Sequence, residues 1–280
     1  MKKILFIVLT FILSSTTIAQ KALSRSELGI SAGGMNYIGD LNKQSMFGKP
    51  NMGYGIFYRL NINERWSIMV SGSYGNIEGG NPDKIPLRNL SFHSHIYEGF
   101  ARAEFNFRPF GFTGKSFRCS TFLFIGLGMF GFNPQAEYFN ESTGETEWID
   151  LRPLCTEGQG TEAYPDRVPY GLTQLMMPFG FGVKFKLGNS IYLSAEYGFR
   201  KTWTDYLDDV STTYVDPSIL SPLSAELADR SGEYQEGYVN IPGSKRGDST
   251  LDDWYAYFNI SISFNMEFLF GWMKSKKCEL

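Results

Sequence analysis

The 280-residue sequence is poor in three things that usually announce a function. It has two histidines, three cysteines and a net charge of only -3. Cys119, Cys155 and Cys278 are too few and too scattered for a disulfide scaffold. The near-balanced charge gives no bias toward nucleic acid. One apolar run stands out, at residues 4–13, behind Lys2 and Lys3 and followed by Ser14, Ser15, Thr16, Thr17 and Ile18-Ala19-Gln20. That order is a secretory signal peptide cleaved near Ala19 or Gln20. A membrane-spanning helix needs about 20 apolar residues, so the run is too short for one. With no cysteine directly after it, nothing suggests a lipid-anchored N-terminus. Nowhere else does a stretch approach a transmembrane helix.

Aromatic residues and glycine are plentiful instead: aromatics make up 16% of the chain, and there are 30 glycines. That mixture suits a sheet whose outer face meets lipid and whose turns are tight. Helical periodicity is scarce, whereas apolar and polar residues alternate repeatedly. The longest case is 254–268. Trp254, Ala256, Phe258, Ile260, Ile262, Phe264, Met266 and Phe268 fall on one face, and Asn259, Ser261, Ser263, Asn265 and Glu267 on the other. Six more segments alternate in the same way, around residues 28–32, 52–60, 66–74, 97–107, 175–187 and 191–202. An eighth, 121–132, is apolar on both faces.

Tight connections near 61–65 and 188–190 and a medium one at 108–119 alternate with longer gaps at 38–50, 77–91, 133–173 and 204–250. Short periplasmic turns and long outer loops are the pattern of a bacterial outer-membrane barrel. A soluble β-sandwich would require neither that alternation nor such long apolar faces. The expected organisation is a signal peptide at 1–20, a transmembrane antiparallel up-and-down barrel of eight strands at 21–270 with two long extracellular loops, and a periplasmic tail at 271–280. Localisation to the outer membrane of a Gram-negative cell follows.

The faces opposite the apolar ones carry Glu27, Glu98, Glu104, Glu196 and Glu267 against Arg59, Arg102, Lys184, Lys186 and Arg200. Five acids facing five bases can pair within a barrel that eight strands leave only wide enough for side chains. The set is expected to be a structural plug of ion pairs, since an ion pathway would need more strands.

Other residues admit two readings. Asp205, Asp208 and Asp209, with Asp216 nearby, are dense enough to bind Ca²⁺, but their spacing fits no helix-flanked calcium loop, and local capping is the better reading. His93 and His95 share a strand face and could hold a metal or activate a nucleophile. Ser94 between them points to the opposite face and would need another base, so interfacial histidines beside an aromatic belt are favoured. No catalytic residue, metal or cofactor is expected. Cys119 and Cys278 fall on the periplasmic side and could pair with each other or with a partner, while Cys155 lies in an outward loop.

Several phrases resemble the PorG-like outer-membrane barrels of the type IX secretion system. They are ELGISAGGMNYIGDL from Glu27 to Leu41, RNLSFH from Arg88 to His93, Phe132-Asn133-Pro134 with LCTEGQG from Leu154 to Gly160, and FRKTWTDYLDDVSTTY from Phe199 to Tyr214. The last is the most specific, and the phrases occur in the family's order from residue 27 onward. The resemblance implies a non-enzymatic barrel that tethers a periplasmic ring, built from a PorK-like lipoprotein and a PorN-like protein, to the outer membrane. On that reading the partner surface is the periplasmic rim at 108–119 and 268–280, carrying Arg108, Lys115, Arg118, Cys119, Lys274, Lys276, Lys277 and Cys278. The lysines of the tail could equally do no more than solvate it. A lipid-modifying barrel enzyme and a free-standing adhesin or ligand-binding barrel remain as alternatives.

Overall fold

A computed structural model describes residues 25–42, 50–80, 88–111 and 116–269. The signal peptide at 1–20 and the tail at 271–280 lie outside the described residues. Ten strands form one antiparallel sheet: β1 (Ser26–Ile38), β2 (Asn51–Asn61), β3 (Trp66–Gly80), β4 (Ser91–Asn106), β5 (Cys119–Gly131), β6 (Pro134–Asn140), β7 (Glu145–Asp150), β8 (Thr173–Leu187), β9 (Ile191–Thr202) and β10 (Trp254–Asn265). Each of β1 to β4 pairs with the next, β5 with β8, β8 with β9, β9 with β10, and β10 with β1. The result is a closed barrel of eight strands. β6 and β7 are a hairpin added outside the ring, on the upper end of β4.

Period-2 alternation decides which side chains point where. Ile30, Ile56, Val70, Ile125, Leu127, Phe181 and Ile260 all stand exposed on the outer wall. In water such a continuous apolar belt would be costly, whereas in a bilayer it is the solvated surface. Closure pairs every strand of the ring on both sides, so no open edge meets lipid. The chain is therefore an outer-membrane barrel.

The turns explain the short connections. Asn63 Oδ1 accepts from the backbone N–H groups of Arg65 and Trp66, both at 2.8 Å, closing the β2–β3 turn. Gly188 takes φ +68° in the β8–β9 turn, a left-handed conformation that favours glycine. The apolar-on-both-faces segment 121–132 is β5, and its inner face is apolar because Phe122, Phe124 and Phe130 point into the lumen. One defect interrupts the ring. The β5–β8 register passes from Ile125–Phe179 to Gly128–Met176, skipping the pairs that would include Pro178, which has no N–H to donate.

The loops differ from expectation in extent. β3 runs to Gly80 and β4 starts at Ser91, so both ends of the gap at 77–91 are strand. The gap at 133–173 holds the β6–β7 hairpin and a short 3-10 turn, Arg152–Leu154. The gap at 204–250 holds helix α1 (Pro222–Ala228) and helix α2 (Ser231–Tyr234). α1 starts where the Ser221 side chain accepts from the Ser224 N–H.

Candidate functional site: a filled lumen, a loop cap and a basic rim

The lumen holds a connected set of six charges and one separate ion pair. Arg59 reaches Glu27 at 2.8 Å and Glu104 at 2.9 Å. Arg102 reaches Glu104 at 2.8 Å and Glu196 at 2.6 Å. Lys184 also pairs with Glu104. Arg200 and Glu98 form a separate pair at 3.0 Å, to which Tyr255 donates its hydroxyl at 2.7 Å. Asn61 and Ser263 donate to Glu27, and Asn259 donates to Glu196. All eight charged groups are buried, and four carboxylates balance four cations. Burying charge is tolerable only when each group is paired and its remaining hydrogen bonds are met. Aromatic faces complete the packing, with Arg102 3.9 Å from the Phe124 ring centre and Lys184 4.2 Å from that of Phe122. A void beside Arg59, Glu196 and Arg200 is about 10 Å³, room for about one water.

Two residues expected in this set lie elsewhere. Lys186 sits at the periplasmic end of β8, below the last layer of lumen partners, and donates to the Gly111 carbonyl. Glu267 is beyond the barrel altogether. The strand expected to continue to residue 268 ends at Asn265, whose Oδ1 accepts from the Glu267 N–H at 2.9 Å, and the chain turns helical over 266–269. That side-chain bond competes with the ladder and leaves Glu267 exposed.

The long-loop end is closed by a cap. Leu207 and Val210 are buried with Met35, Phe130, Phe132 and Tyr255 at the top of the barrel. Above them Glu157 accepts from the Ser211 N–H at 2.9 Å, the Thr212 hydroxyl at 2.6 Å and Arg246 at 3.0 Å. Arg246 also donates to the carbonyls of Ala228 and Asp209. Asp209, at φ +64°, accepts from the hydroxyls of Thr156 and Tyr170. Two loops far apart in sequence are thereby bolted together.

A second polar cluster joins this cap to the barrel. The Tyr37 hydroxyl lies 2.6 Å from Asp208 Oδ2 and 2.8 Å from Asp253 Oδ1. One phenol carries one proton, so two such contacts require a second proton on one of the carboxyls. Burial pushes Asp208 up to about 7, and the nearby Asp40 adds to it, against hydrogen bonds from Tyr37 and the Val210 N–H. Asp253 is raised well above its ordinary value by burial and by Asp208 and Asp205. Among the described residues neither buried oxygen of Asp205 has a hydrogen-bond partner. Burial lifts it to about 8, and the nearby Ser211 hydroxyl only partly offsets this. Asp209, paired with Arg246, is raised less, to about 6.

This geometry bears on the Ca²⁺ reading. Asp209 points toward Arg246 and Asp208 toward Tyr37, so the carboxylates diverge. Among the described residues no group of three or more His, Cys, Asp or Glu side chains could hold a metal ion. Asp216 caps the 3-10 turn Pro217–Ile219 by accepting from the Ser218 N–H.

His93 and His95 sit side by side on the outer face, with ring centres 5.0 Å apart. Asn76 Oδ1 lies 2.6 Å from His95 Nδ1, and Trp148 packs on His93 at 5.3 Å. Ser94 points inward and is fully buried, and its hydroxyl accepts from the Asn133 N–H. The serine and the histidines thus face opposite sides of the sheet.

At the short-turn end, Arg108 and Arg118 are exposed and the Cys119 thiol is free and half-buried. Lys115, Lys274, Lys276, Lys277 and Cys278 lie outside the described residues. Cys155 is likewise a free thiol, in the outer loop. Next to Arg108, Phe110 is buried with its ring 5.9 Å from that of Tyr192. A cavity of about 410 Å³ opens there, lined by Arg25, Lys186, Ser190 and Tyr192 among others.

Sequence reasoning missed three parts of this arrangement: the β6–β7 hairpin, the Glu157–Arg246 bolt and the Tyr37 bridge. A turn-rich Asn-Glu-Ser-Thr-Gly stretch ending at Gly144 was the one available signal for the hairpin.

Closed ring, lipid-facing belt and filled lumen define an eight-stranded outer-membrane β-barrel. Within that class the chain belongs to the family described as "Domain of unknown function (DUF6089)", whose model matches residues 2–150. No curated protein matches its sequence. Solved structures similar to it include the attachment invasion locus protein Ail of Yersinia pestis (10% identity, TM-score 0.39, covering 85% of this chain and 96% of that one). Neisserial surface protein A is similar at 9% identity and TM-score 0.41, over 86% and 97% of the two chains. A major outer membrane protein of Thermus thermophilus is similar at 10% identity and TM-score 0.40, over 85% and 98%.

Proposed function

We propose that this barrel is a non-enzymatic outer-membrane component of the type IX, gliding-associated protein secretion machinery. It anchors a periplasmic ring of PorK-like lipoprotein and PorN-like protein to the outer membrane. The observation that carries this reading is the lumen. Eight buried, paired charges fill it, and the void beside Arg59, Glu196 and Arg200 is only about 10 Å³, which argues against conduction. A barrel filled in this way serves as a fixture in the membrane, and its binding surfaces are then its two ends. The sequence phrases around Glu27, Arg88, Leu154 and Phe199 supply the particular machine. The cationic short-turn rim, with Arg25, Arg65, Arg108, Arg118 and Lys186, supplies a surface for the ring.

The test is affinity purification of a tagged copy from detergent extracts, together with a secretion assay on a deletion strain. Recovery of the ring lipoprotein and loss of secretion are expected. Normal secretion without the barrel, or no ring protein in the extract, overturns the proposal. A His93→Ala, His95→Ala double variant should secrete normally, which separates an anchor from a lipid-modifying enzyme.

A further inference from the structure

Above the membrane the barrel wall does not simply stop. β5 follows β4 only as far up as the Tyr97–Gly131 pair. Beyond it β6 takes the vacated side of β4 through His93–Gln135 and Ser94–Pro134. The sheet therefore continues outward as β3, β4, β6, β7, and among the described residues β7 is paired on one side only. Its six residues, ETEWID, are exposed save for the half-buried Ile149. At about 3.4 Å per residue this is an edge roughly 20 Å long, presenting unused backbone donors and acceptors to the outside.

Natural edges are commonly blunted by charge, and here all the charge has one sign. Glu137, Glu141, Glu145, Glu147 and Asp150 occupy the hairpin, and no lysine or arginine occurs between residues 134 and 151. Pairing of two such edges from two copies would set carboxylate against carboxylate, which opposes self-association. Beneath the hairpin a cleft of about 560 Å³ separates it from the α1–α2 segment, with Glu137 and Glu141 on one wall and Glu226 on the other. Among the described residues the one cation lining this cleft, Arg230, is already paired with Glu233 at 2.7 Å. Phe139 and Trp148 on the hairpin are 59% and 49% exposed, offering apolar contact beside the acids. Across residues 134–172 and 204–253 there are 19 acidic side chains against five basic ones, so these two segments attract positive charge.

We infer that the free edge of β7 receives an extended, lysine- or arginine-bearing polypeptide segment by strand addition. Backbone pairing along 145–150 supplies the affinity, and the glutamates of the hairpin and the cleft select the sign. This is an interaction on the outer face. It stands independently of the periplasmic anchoring role.

The test uses the purified full-length barrel in zwitterionic detergent and fluorescein-labelled synthetic peptides read by polarisation. A peptide alternating lysine and valine should bind saturably and lose affinity as salt is raised. The glutamate–valine counterpart should not bind. A lysine–valine peptide methylated on alternate backbone nitrogens should bind at least about tenfold more weakly, the equivalent of one or two lost hydrogen bonds. The exposed double variant Glu145→Lys, Glu147→Lys should lose the basic peptide and gain the acidic one. Absence of saturable binding overturns the inference. Equal binding of the methylated peptide overturns strand addition on the native protein, without relying on any variant folding.

Discussion

Removing the carboxylate of Glu104 would leave Arg59, Arg102 and Lys184 facing one another in a space closed to water. Breaking a buried pair costs about 3–5 kcal/mol because the surviving charge has no partner. Glu104→Gln should therefore lower the urea midpoint of the refolded barrel substantially, and adding Lys184→Met should recover a large part of that loss. Equal midpoints for native protein and Glu104→Gln would refute the network as a stabilising unit. Glycines supply a matched pair of cases. A Cβ on Gly126 would meet the Ala101 carbonyl oxygen at 2.3 Å, while one on Gly99 would meet nothing within 4 Å. Gly126→Ala is expected to cost about 1–3 kcal/mol and Gly99→Ala less than about 0.5 kcal/mol, measured as shifts in the same urea titration.

Among the elements, the strands were legible and the loops were not, for a physical reason. A strand between lipid and a packed lumen must alternate over its whole length, so 254–268 or 191–202 declares its two faces without any partner being known. The lumen charges were legible as a set, since Glu27, Arg59 and Glu104 share the inner face, but which acid meets which base depends on register and side-chain reach. Lys186 and Glu267 show the limit, for both obey the alternation and both lie outside the packed layers. The β6–β7 hairpin escaped because neither of its faces meets lipid, so nothing forces a pattern on it. The cap escaped because its partners are remote, Glu157 being 89 residues from Arg246 and Tyr37 171 from Asp208. The cap also titrates. Asp208 and Asp205 keep their protons in the folded cap up to about 7 and about 8 respectively, whereas an unfolded loop releases them in the ordinary carboxylate range. The folded cap thus binds more protons than the unfolded one, and its stability falls as pH rises through those values. Asp253, raised by burial, adds to this trend; the charge of Asp40 raises both Asp208 and Asp205, and that of Arg88 lowers Asp208. Protease cleavage within 204–253 should accelerate at least about tenfold between about pH 5.5 and about pH 9, one pKa unit being worth a factor of ten. Asp208→Asn should flatten that dependence, and a native profile with no pH dependence would count against it.

For the molecule as a whole, two barriers lie in series along the axis: the cap with Leu207 and Val210, and the ion-pair layer around Arg102. In planar bilayers the purified barrel should show no stable conductance. Replacing Leu207 and Val210 by glycine should still show none, because the second barrier is untouched. Porin-like steps in the native protein would contradict a filled lumen.

The seam that closes the ring joins β1 to β10 through twelve register pairs, from Glu27–Asn265 to Ile38–Trp254. Those partners are separated by more than two hundred residues of chain. None of the β1–β10 hydrogen bonds can form until β10 has been delivered to the same place as β1. Until then β1 and the growing end are both unpaired edges, and they are the adhesive part of an unfinished barrel. Insertion is therefore a race between ring closure and aggregation. A slip by one residue at this seam would turn every lipid-facing side chain of the last strand toward the lumen. Assembly of this protein thus depends on whatever holds its first strand apart while the last one arrives.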